Sequence, residues 1–322
     1  MSDQRLLIGS HAPFWHNGDS ITKKNYNLIL AALPAAIYGI WLYGVPALGV
    51  ITLSIAVAML WELIMNIIMK RPISIGDGSA AFIGLIFGMM LPATAPWWIV
   101  VVGTFIAIVV AKQIYGGIGC NPFNPALVAM AMLMLSWKGI LNFNAALVDY
   151  DLGFNMVYPL SAIKHFGASA ASNYDLHGLF MGKQAGAIGA VFGLGLLIGG
   201  IYMIIRGYIK WEISLSFLAG IYIAAYLFHI HNPERYAPPL FHILTGYTLL
   251  GAFFLAPEDS SSPVNLIPKL IYGAGAATLI ILIRNIGAFV DGTVFAILMM
   301  NVANPLFDKI RPRAWGRGLE NA

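Results

Sequence analysis

Hydrophobic sequence interrupted by clusters of glycine and proline is the feature that most constrains this chain. Between Gly76 and Met134, three apolar runs are separated by a break at Pro92 and by a longer break from Lys112 to Ala126. Irregular backbone at membrane depth is tolerated only where protein, ligand or water satisfies its N–H and C=O groups. Breaks of this kind mark binding sites in membrane carriers. A short turn outside the membrane, between two spans, would give the same pattern.

The composition is that of an integral membrane protein. Of the 322 residues, 59% are hydrophobic and 10% are charged, and the mean hydropathy is +0.78, whereas soluble domains carry about 25% charged residues. The net charge of +4 predicts no nucleic-acid partner, because the basic residues lie between apolar runs. A single cysteine, Cys120, excludes an internal disulfide and a metal site made only of cysteines. The histidine spacing predicts no metal site, and no pattern indicates a catalytic residue.

Apolar runs of about 17–25 residues predict spanning helices, and this chain has about ten such segments, some of them short. The fold class predicted is an all-α membrane protein of about ten transmembrane or broken helices. We place an N-terminal arm at 1–26, the membrane domain at 27–310, a long loop at 138–184 and a basic tail at 311–322. The predicted segments cover residues 27–43, 45–69, 79–91, 97–110, 125–137, 185–205, 211–230, 239–256, 268–287 and 291–307.

The distribution of basic residues predicts the orientation. With the N-terminus inside and the segments alternating, thirteen of the 18 lysines and arginines fall on the cytoplasmic side, as the positive-inside rule requires. Both termini are therefore predicted to be cytoplasmic and the loop at 138–184 extracytoplasmic, in a multi-pass protein of the inner (plasma) membrane.

An internal repeat is also visible. The pattern Asn-x-x-Asn-Pro occurs at 121–125 and again at 301–305, and small-residue helices end at Pro92 and at Pro257. Two five-segment halves are a common plan for membrane carriers, although chance matches between turns rich in asparagine and proline would look alike.

Few ionisable residues lie at predicted membrane depth. Glu62 falls inside the second segment, the pair Glu258-Asp259 follows a broken end, and Asp291 opens the last segment. Such groups are costly in hydrocarbon, so an ion path is the default hypothesis; hydration at the interface is the alternative for Glu258 and Asp291. We expect Glu258, Asp259 and Asp291 to share one aqueous pocket.

Several motifs resemble one family along most of the chain. The sequence resembles the D subunit of Rnf-type electron-transport complexes and is similar to the B subunit of the sodium-pumping NADH:quinone reductase. The most specific motifs are Lys-Gln-Ile-Tyr-Gly-Gly-Ile-Gly-Cys-Asn-Pro-Phe-Asn-Pro-Ala at 112–126, Gly-Asp-Gly-Ser at 76–79, and Val-Asp-Gly at 290–292 with the helix that follows it.

The resemblance implies a subunit that passes electrons between ferredoxin-side and NAD(H)-side subunits and couples this to Na⁺ or H⁺ translocation. It implies other membrane and iron–sulfur subunits as partners, and a non-covalent flavin (riboflavin or FMN) among the spans. Asparagine amides suit a flavin edge, and glycines permit close approach of the backbone. The candidate cofactor residues at the long break are Lys112, Gly116, Gly117, Gly119, Asn121, Pro122, Phe123, Asn124 and Pro125.

The chain departs from the family where a second flavin is expected. The resemblance implies an FMN joined through its phosphate to a threonine in the extracytoplasmic loop, but Tyr158 occupies that position, after Met156 and Val157. We therefore expect no covalent link. Either FMN binds here non-covalently with Tyr158 stacked on its ring, or the site is empty; Ser161 and Ser169 are the remaining hydroxyl candidates.

A second departure concerns the ion path. Gln113 stands where the pump-type B subunit has a glutamate, so one ion ligand is neutral here. The alternative function is a secondary transporter or channel with two broken repeats and no redox role. Because the family's fold resembles urea and ammonium channels, architecture alone does not separate the two functions.

Overall fold

The computed structural model describes residues 19–310, and every regular element in that range is a helix. Among these residues, four helices are long and apolar enough to cross a membrane, five apolar helices are shorter, and one segment at 239–255 is broken. The predicted all-α membrane fold is thus confirmed. Residues 1–18 and 311–322, which hold most of the predicted arm and the whole predicted tail, lie outside the described range.

The first half contains five helical segments. The first begins at Ile21, before the predicted boundary at 27, because Ser20 Oγ accepts a hydrogen bond from Lys23 N (3.1 Å) and caps it. Gly44, with φ 74°, ends this helix and starts the next. The segments are α1 (Ile21–Tyr43), α2 (Val45–Ile68), α3 (Ser79–Met90), α4 (Trp97–Phe105, continued by a π-helix at Ile106–Gln113) and α5 (Pro125–Ser136).

The loop between the halves is ordered by short helices. Asp175 caps one of them through Gly178 N (2.8 Å). The Tyr174 hydroxyl donates to Val157 O (2.8 Å), and burial raises the pKa of Tyr174 to about 12, so this phenol stays neutral. The helices are α6 (Phe143–Ala146), α7 (Pro159–Phe166) and α8 (Leu176–Phe180), with a 3₁₀-helix at Ala168–Asn173.

The second half begins with irregular chain that includes a turn at 188–190. Residues 185–192, predicted to be helical, are not, because their backbone pairs with the end of α3: Ile188 N donates to Leu91 O (3.1 Å) and Gly189 N to Met89 O (2.8 Å). The helices that follow are α9 (Gly193–Ile205), α10 (Trp211–His231), α11 (Pro239–Leu244), α12 (Thr248–Leu250, continued by a π-helix at Gly251–Leu255), α13 (Leu266–Asn285) and α14 (Thr293–Phe307).

The two halves repeat one order of elements. In each, a long helix (α2 or α10) packs on the short segment after it (α3, or the broken segment at 239–255) and on the next helix (α4 or α13), and a short helix closes the half. Because each half has an odd number of segments, the second is inverted relative to the first. The short segments end near Pro92 and Pro257 in equivalent places, as predicted.

The predicted match between the two Asn-x-x-Asn-Pro motifs is wrong, because the motifs do not occupy equivalent positions in the two halves. Asn124 caps the start of α5, whereas Asn301 lies late in α14. Inversion explains why both motifs nevertheless converge: the start of α5 and the end of α14 lie at the same face, and the Asn301 amide reaches Asn124 N (3.1 Å).

We name two faces of the molecule. The terminal face holds the start of α1, and its loops are joined by hydrogen bonds such as Asn25 Nδ2 to Asp77 O (2.8 Å) and Asn121 Nδ2 to Glu258 Oε1 (3.0 Å). The loop face holds α6–α8 and the end of α13, where Lys164 Nζ donates to the carbonyls of Ile283 (3.5 Å) and Phe289.

Candidate functional site

A cavity of about 290 Å³ opens at the terminal face where the two halves meet. The apolar part of its wall includes Phe82 and Ile86 from α3 and Phe253 and Phe254 from the second π-helix. Both π-helices contribute to it, and π-turns are frequent at functional sites. We call it the terminal-face cavity.

The long break predicted as a cofactor site forms only part of this wall. Five of the predicted residues line the cavity: Lys112, Gly119, Asn121, Asn124 and Pro125. The other four lie in the same break without lining it: Gly116, Gly117, Pro122 and Phe123. The three glycines have φ of 125°, 98° and 81°, so the turn itself requires glycine.

The two asparagines are already hydrogen-bonded within the protein. Asn124 Oδ1 accepts from Ala126 N (3.1 Å) and caps α5, and its Nδ2 donates to Leu255 O (3.1 Å). Asn121 Nδ2 donates to Phe123 O (3.0 Å) and to Glu258. They shape the wall of the cavity, and a flavin edge would compete with these bonds.

Lys112 forms a buried ion pair on the cavity wall. Its ammonium donates to both carboxylate oxygens of Glu62 (2.9 and 3.0 Å) and to Ser79 Oγ (2.6 Å). The lysine and glutamate side chains are 2% and 1% exposed. Gln113, predicted to lie on the ion path, points its amide at Glu62 Oε1 (3.4 Å) and so belongs to this cluster.

Glu258 and Asp259 lie at the mouth of the cavity. Glu258 accepts hydrogen bonds from Asn121 Nδ2 and from Ser261 N (3.2 Å) and its hydroxyl. Asp259 pairs with Lys24. Among the described residues no ion pair involves Glu258, so its carboxylate borders the cavity with neutral donors only.

Asp291 is elsewhere, and the prediction of one shared pocket is wrong. Its carboxylate accepts from Arg284 (2.9 Å), Tyr247 N (2.8 Å) and Thr293 N (3.0 Å) at the loop face. Glu258 lies near the start of α13 and Arg284 at its end, and a helix of 20 residues is about 30 Å long. A role for Asp291 in ion movement stays a prediction.

The predicted loop site is partly closed. Tyr158 is 6% exposed and packs on Phe143 (5.0 Å between ring centroids), which leaves no support for stacking on an FMN. Ser161 is also buried, and its Oγ accepts from Asn144 Nδ2 (2.9 Å). Only Ser169 has an exposed hydroxyl, beside an open groove of about 370 Å³.

Sequence reasoning missed three groups. Ser79 stands out in the sequence only as part of a motif, although it directly contacts Lys112. Phe253 and Phe254 carry no motif signal. From the sequence, Arg284 was assigned to a loop outside the membrane. Its position at the end of an apolar run of twenty residues was the signal that it belongs to a buried ion pair.

Comparison with known proteins identifies the family. The sequence matches the NQR2, RnfD, RnfE family over residues 8–316. The chain belongs to this family.

Similar proteins in the family are named for complexes that translocate ions. The D subunit of an ion-translocating oxidoreductase complex from Halorhodospira halophila is 34% identical over 97% of this chain and 95% of its own length. The D subunit of the Na⁺-translocating ferredoxin:NAD⁺ oxidoreductase complex of Acetobacterium woodii is 35% identical, covering 98% and 97%. The D subunit of the proton-translocating ferredoxin:NAD⁺ oxidoreductase complex of Clostridium ljungdahlii is 33% identical, covering 95% of each.

Proposed function

We propose that this chain is the D subunit of an Rnf-type complex, passing electrons between ferredoxin-side and NAD(H)-side subunits and coupling this to Na⁺ or H⁺ movement. The family and the names of its relatives support the complex. The terminal-face cavity, with a buried cation on its wall, is the observation that carries the redox role.

The lining of the cavity supports a flavin ring system as its occupant. Its volume of about 290 Å³ is just below the usual range of ligand pockets, about 300–1,000 Å³, and aromatic and aliphatic side chains line it beside polar ones. Phe82 and Phe253 would contact the ring, and Lys112 would face its polar edge. When bound, a flavin supplies one- and two-electron transfer, while the protein contributes position and electrostatics.

The acidic mouth of the cavity is the proposed entry for the ion. Glu258 faces the cavity with hydrogen-bond donors but no paired cation among the described residues, and Asp259 lies beside it. Carboxylate and hydroxyl oxygens suit a hard cation such as Na⁺ and equally a proton.

The remaining electron path lies in other chains. Cys120 is the only cysteine, so the chain cannot hold an iron–sulfur cluster by itself. We propose other membrane and iron–sulfur subunits as partners, an inner (plasma) membrane location, and cytoplasmic termini with the loop face outside, following the excess of basic residues.

Filling the cavity tests the flavin. In the complex purified with all its subunits, Ile83→Trp, on the cavity wall, should abolish acid-extractable flavin from this subunit. Ile223→Trp on the exposed face of α10 is the matched control and should retain it. A folded Ile83→Trp complex with unchanged flavin would refute the site. A wild-type subunit without flavin would favour the transporter or channel.

The covalent link is tested separately. The Tyr158 and Ser161 side chains are buried, so we expect no fluorescent band at this subunit's mass on a denaturing gel under ultraviolet light. An FMN-bearing peptide containing Tyr158, Ser161 or Ser169 would overturn that expectation, with Ser169 the only exposed acceptor of the three.

A further inference from the structure

The cluster around Glu62 has the composition of a cation site. Glu62 contributes two carboxylate oxygens and Ser79 a hydroxyl, all within 3.0 Å of the Lys112 ammonium. Ser74 Oγ (2.8 Å) and the Gln113 amide (3.4 Å) add donors to the same carboxylate. Oxygen ligands of this kind suit a hard monovalent cation, and here a tethered ammonium occupies their centre.

The site has two sides. Ser79 and Lys112 line the terminal-face cavity. On the other side, Ser74 accepts from Asn66 Nδ2 (2.9 Å) and lies half-buried in the loop after α2, at the terminal face. Glu62 therefore joins the cavity to the surface through a short chain of hydrogen bonds.

Because the Lys112–Glu62 pair is buried, separating its two charges is energetically costly. Removing an ammonium from a buried carboxylate leaves a charge that must be compensated, because an uncompensated buried ion is strongly unfavourable. Lysine is a point charge on a flexible four-carbon stem, and Lys112 lines the open volume of the terminal-face cavity. No other described charged group contacts Glu62.

We propose that Glu62 is a monovalent-cation site, for H⁺ or Na⁺, closed by the Lys112 ammonium as a tethered counter-ion that leaves when negative charge enters the terminal-face cavity. One positive charge turns toward the cavity and one cation takes its place at Glu62, so the charge balances. The identity of the negative charge rests on the proposed function, since a reduced flavin would supply it. The cation site at Glu62 does not depend on the proposed function.

Removing the tether tests the site without any flavin chemistry. We would measure thermal unfolding of the whole complex carrying Lys112→Met, in sodium against choline and across pH. The variant should gain a rise in Tm of roughly a few degrees with sodium, or with acid, as binding to the folded state requires. The wild type, whose Glu62 site is filled by Lys112, should show a smaller rise, and the excess in the variant reports the Glu62 site because the proposed ion entry at Glu258 is the same in both.

The double variant Glu62→Gln/Lys112→Met is the matched control, because it removes both charges and keeps similar volume. It should lose the excess response that Lys112→Met gains and return to the wild-type response. Equal responses in the single and double variants, or no response in the single variant, would overturn the proposal. A response to sodium identifies Na⁺ as the bound cation, and a response to acid identifies H⁺.

A measurement on the wild-type complex covers the case in which Lys112→Met fails to fold. Infrared difference spectra between oxidised and reduced complex should contain a carboxyl band that disappears in Glu62→Gln. It should persist in Glu212→Gln, whose carboxylate pairs with Lys269 (3.8 Å) away from the cavity. Persistence of every carboxyl band in Glu62→Gln would refute the proposal. Loss of flavin signals altogether would instead refute the proposed function.

Discussion

The cations of two buried ion pairs lie at comparable positions, at the end of the fourth segment of each half, although Glu62 comes from α2 and Asp291 from the loop before α14. In the first half, Lys112 follows α4 and contacts Ser79 at the start of α3; in the second, Arg284 ends α13 and contacts Thr248 at the start of α12. Because the second half is inverted, the first pair lies toward the terminal face and the second toward the loop face.

The two pairs differ in how firmly the cation is held. Arg284 donates to its carboxylate partner Asp291 and also to His242 O (2.8 Å), Thr245 O (3.3 Å) and Thr248 Oγ1 (2.8 Å). A guanidinium is a rigid fork, whereas an ammonium is a flexible point charge. The end of the fourth segment thus holds a firmly bound arginine, Arg284, in the second half and a movable lysine counter-ion, Lys112, in the first.

The largest expected effect comes from breaking the anchor. Asp291→Ala leaves Arg284 buried without its carboxylate, and loss of one partner of a buried pair costs about 3–5 kcal/mol of stability. We expect a lower Tm and equal loss of electron transfer and ion transport, because the subunit no longer packs at the loop face.

The control is Asp19→Ala. The Asp19 side chain is 45% exposed and pairs with Lys23 (3.1 Å) at the surface, where ion pairs contribute about 0–1 kcal/mol. If Asp291→Ala kept its Tm and lost ion transport alone, Asp291 would belong to the ion path and the anchor interpretation would fail.

A pair of glycines gives the next largest difference. Gly246 (φ 68°) and Gly78 (φ 75°) precede α12 and α3 in equivalent places. A Cβ on Gly246 would lie 2.4 Å from Asp291 Oδ2, whereas on Gly78 its nearest neighbour would be 3.5 Å away. Gly246→Ala combines left-handed strain and crowding and should cost about 3 kcal/mol; Gly78→Ala should cost about 1 kcal/mol.

Thermal unfolding of the two variants measures this contrast. Equal Tm shifts would mean that the Arg284–Asp291 cluster accommodates an added methyl group as easily as the turn before α3 does. That outcome would remove the distinction between a rigid and a movable pair.

The sequence predicted the helices and the break at 112–126 more accurately than it predicted the partners of the charged residues. Apolar runs and prolines mark spans locally, so the fold class and the break at 112–126 followed from the lengths of the apolar runs, the composition and the glycine and proline clusters. Glu62 and Lys112 are 50 positions apart, and their pairing depends on how α2 packs on the segment after α4. No local pattern records that packing.

The irregular chain at 185–192 was wrongly predicted to be helical for a related reason. Its glycine and alanine residues read as a helix of small residues, but its backbone hydrogen bonds go to α3, from the other half. Asp291 was placed with Glu258 because both follow breaks, but α13, a helix of 20 residues, crosses between them and puts them at opposite faces.

The smallest expected effect tests the first pair alone. Ser79→Ala removes one of the three hydrogen bonds of the Lys112 ammonium (2.6 Å), and we expect a loss of about 1 kcal/mol because water from the cavity replaces the hydroxyl. Thr248→Ala removes the equivalent contact to Arg284, which keeps its bonds to Asp291 and to two carbonyls. If the first pair moves and the second does not, Ser79→Ala should change the number of ions moved per electron, measured in vesicles, while Thr248→Ala should lower only the Tm. The same change in ions per electron in both variants would show that the two pairs act alike.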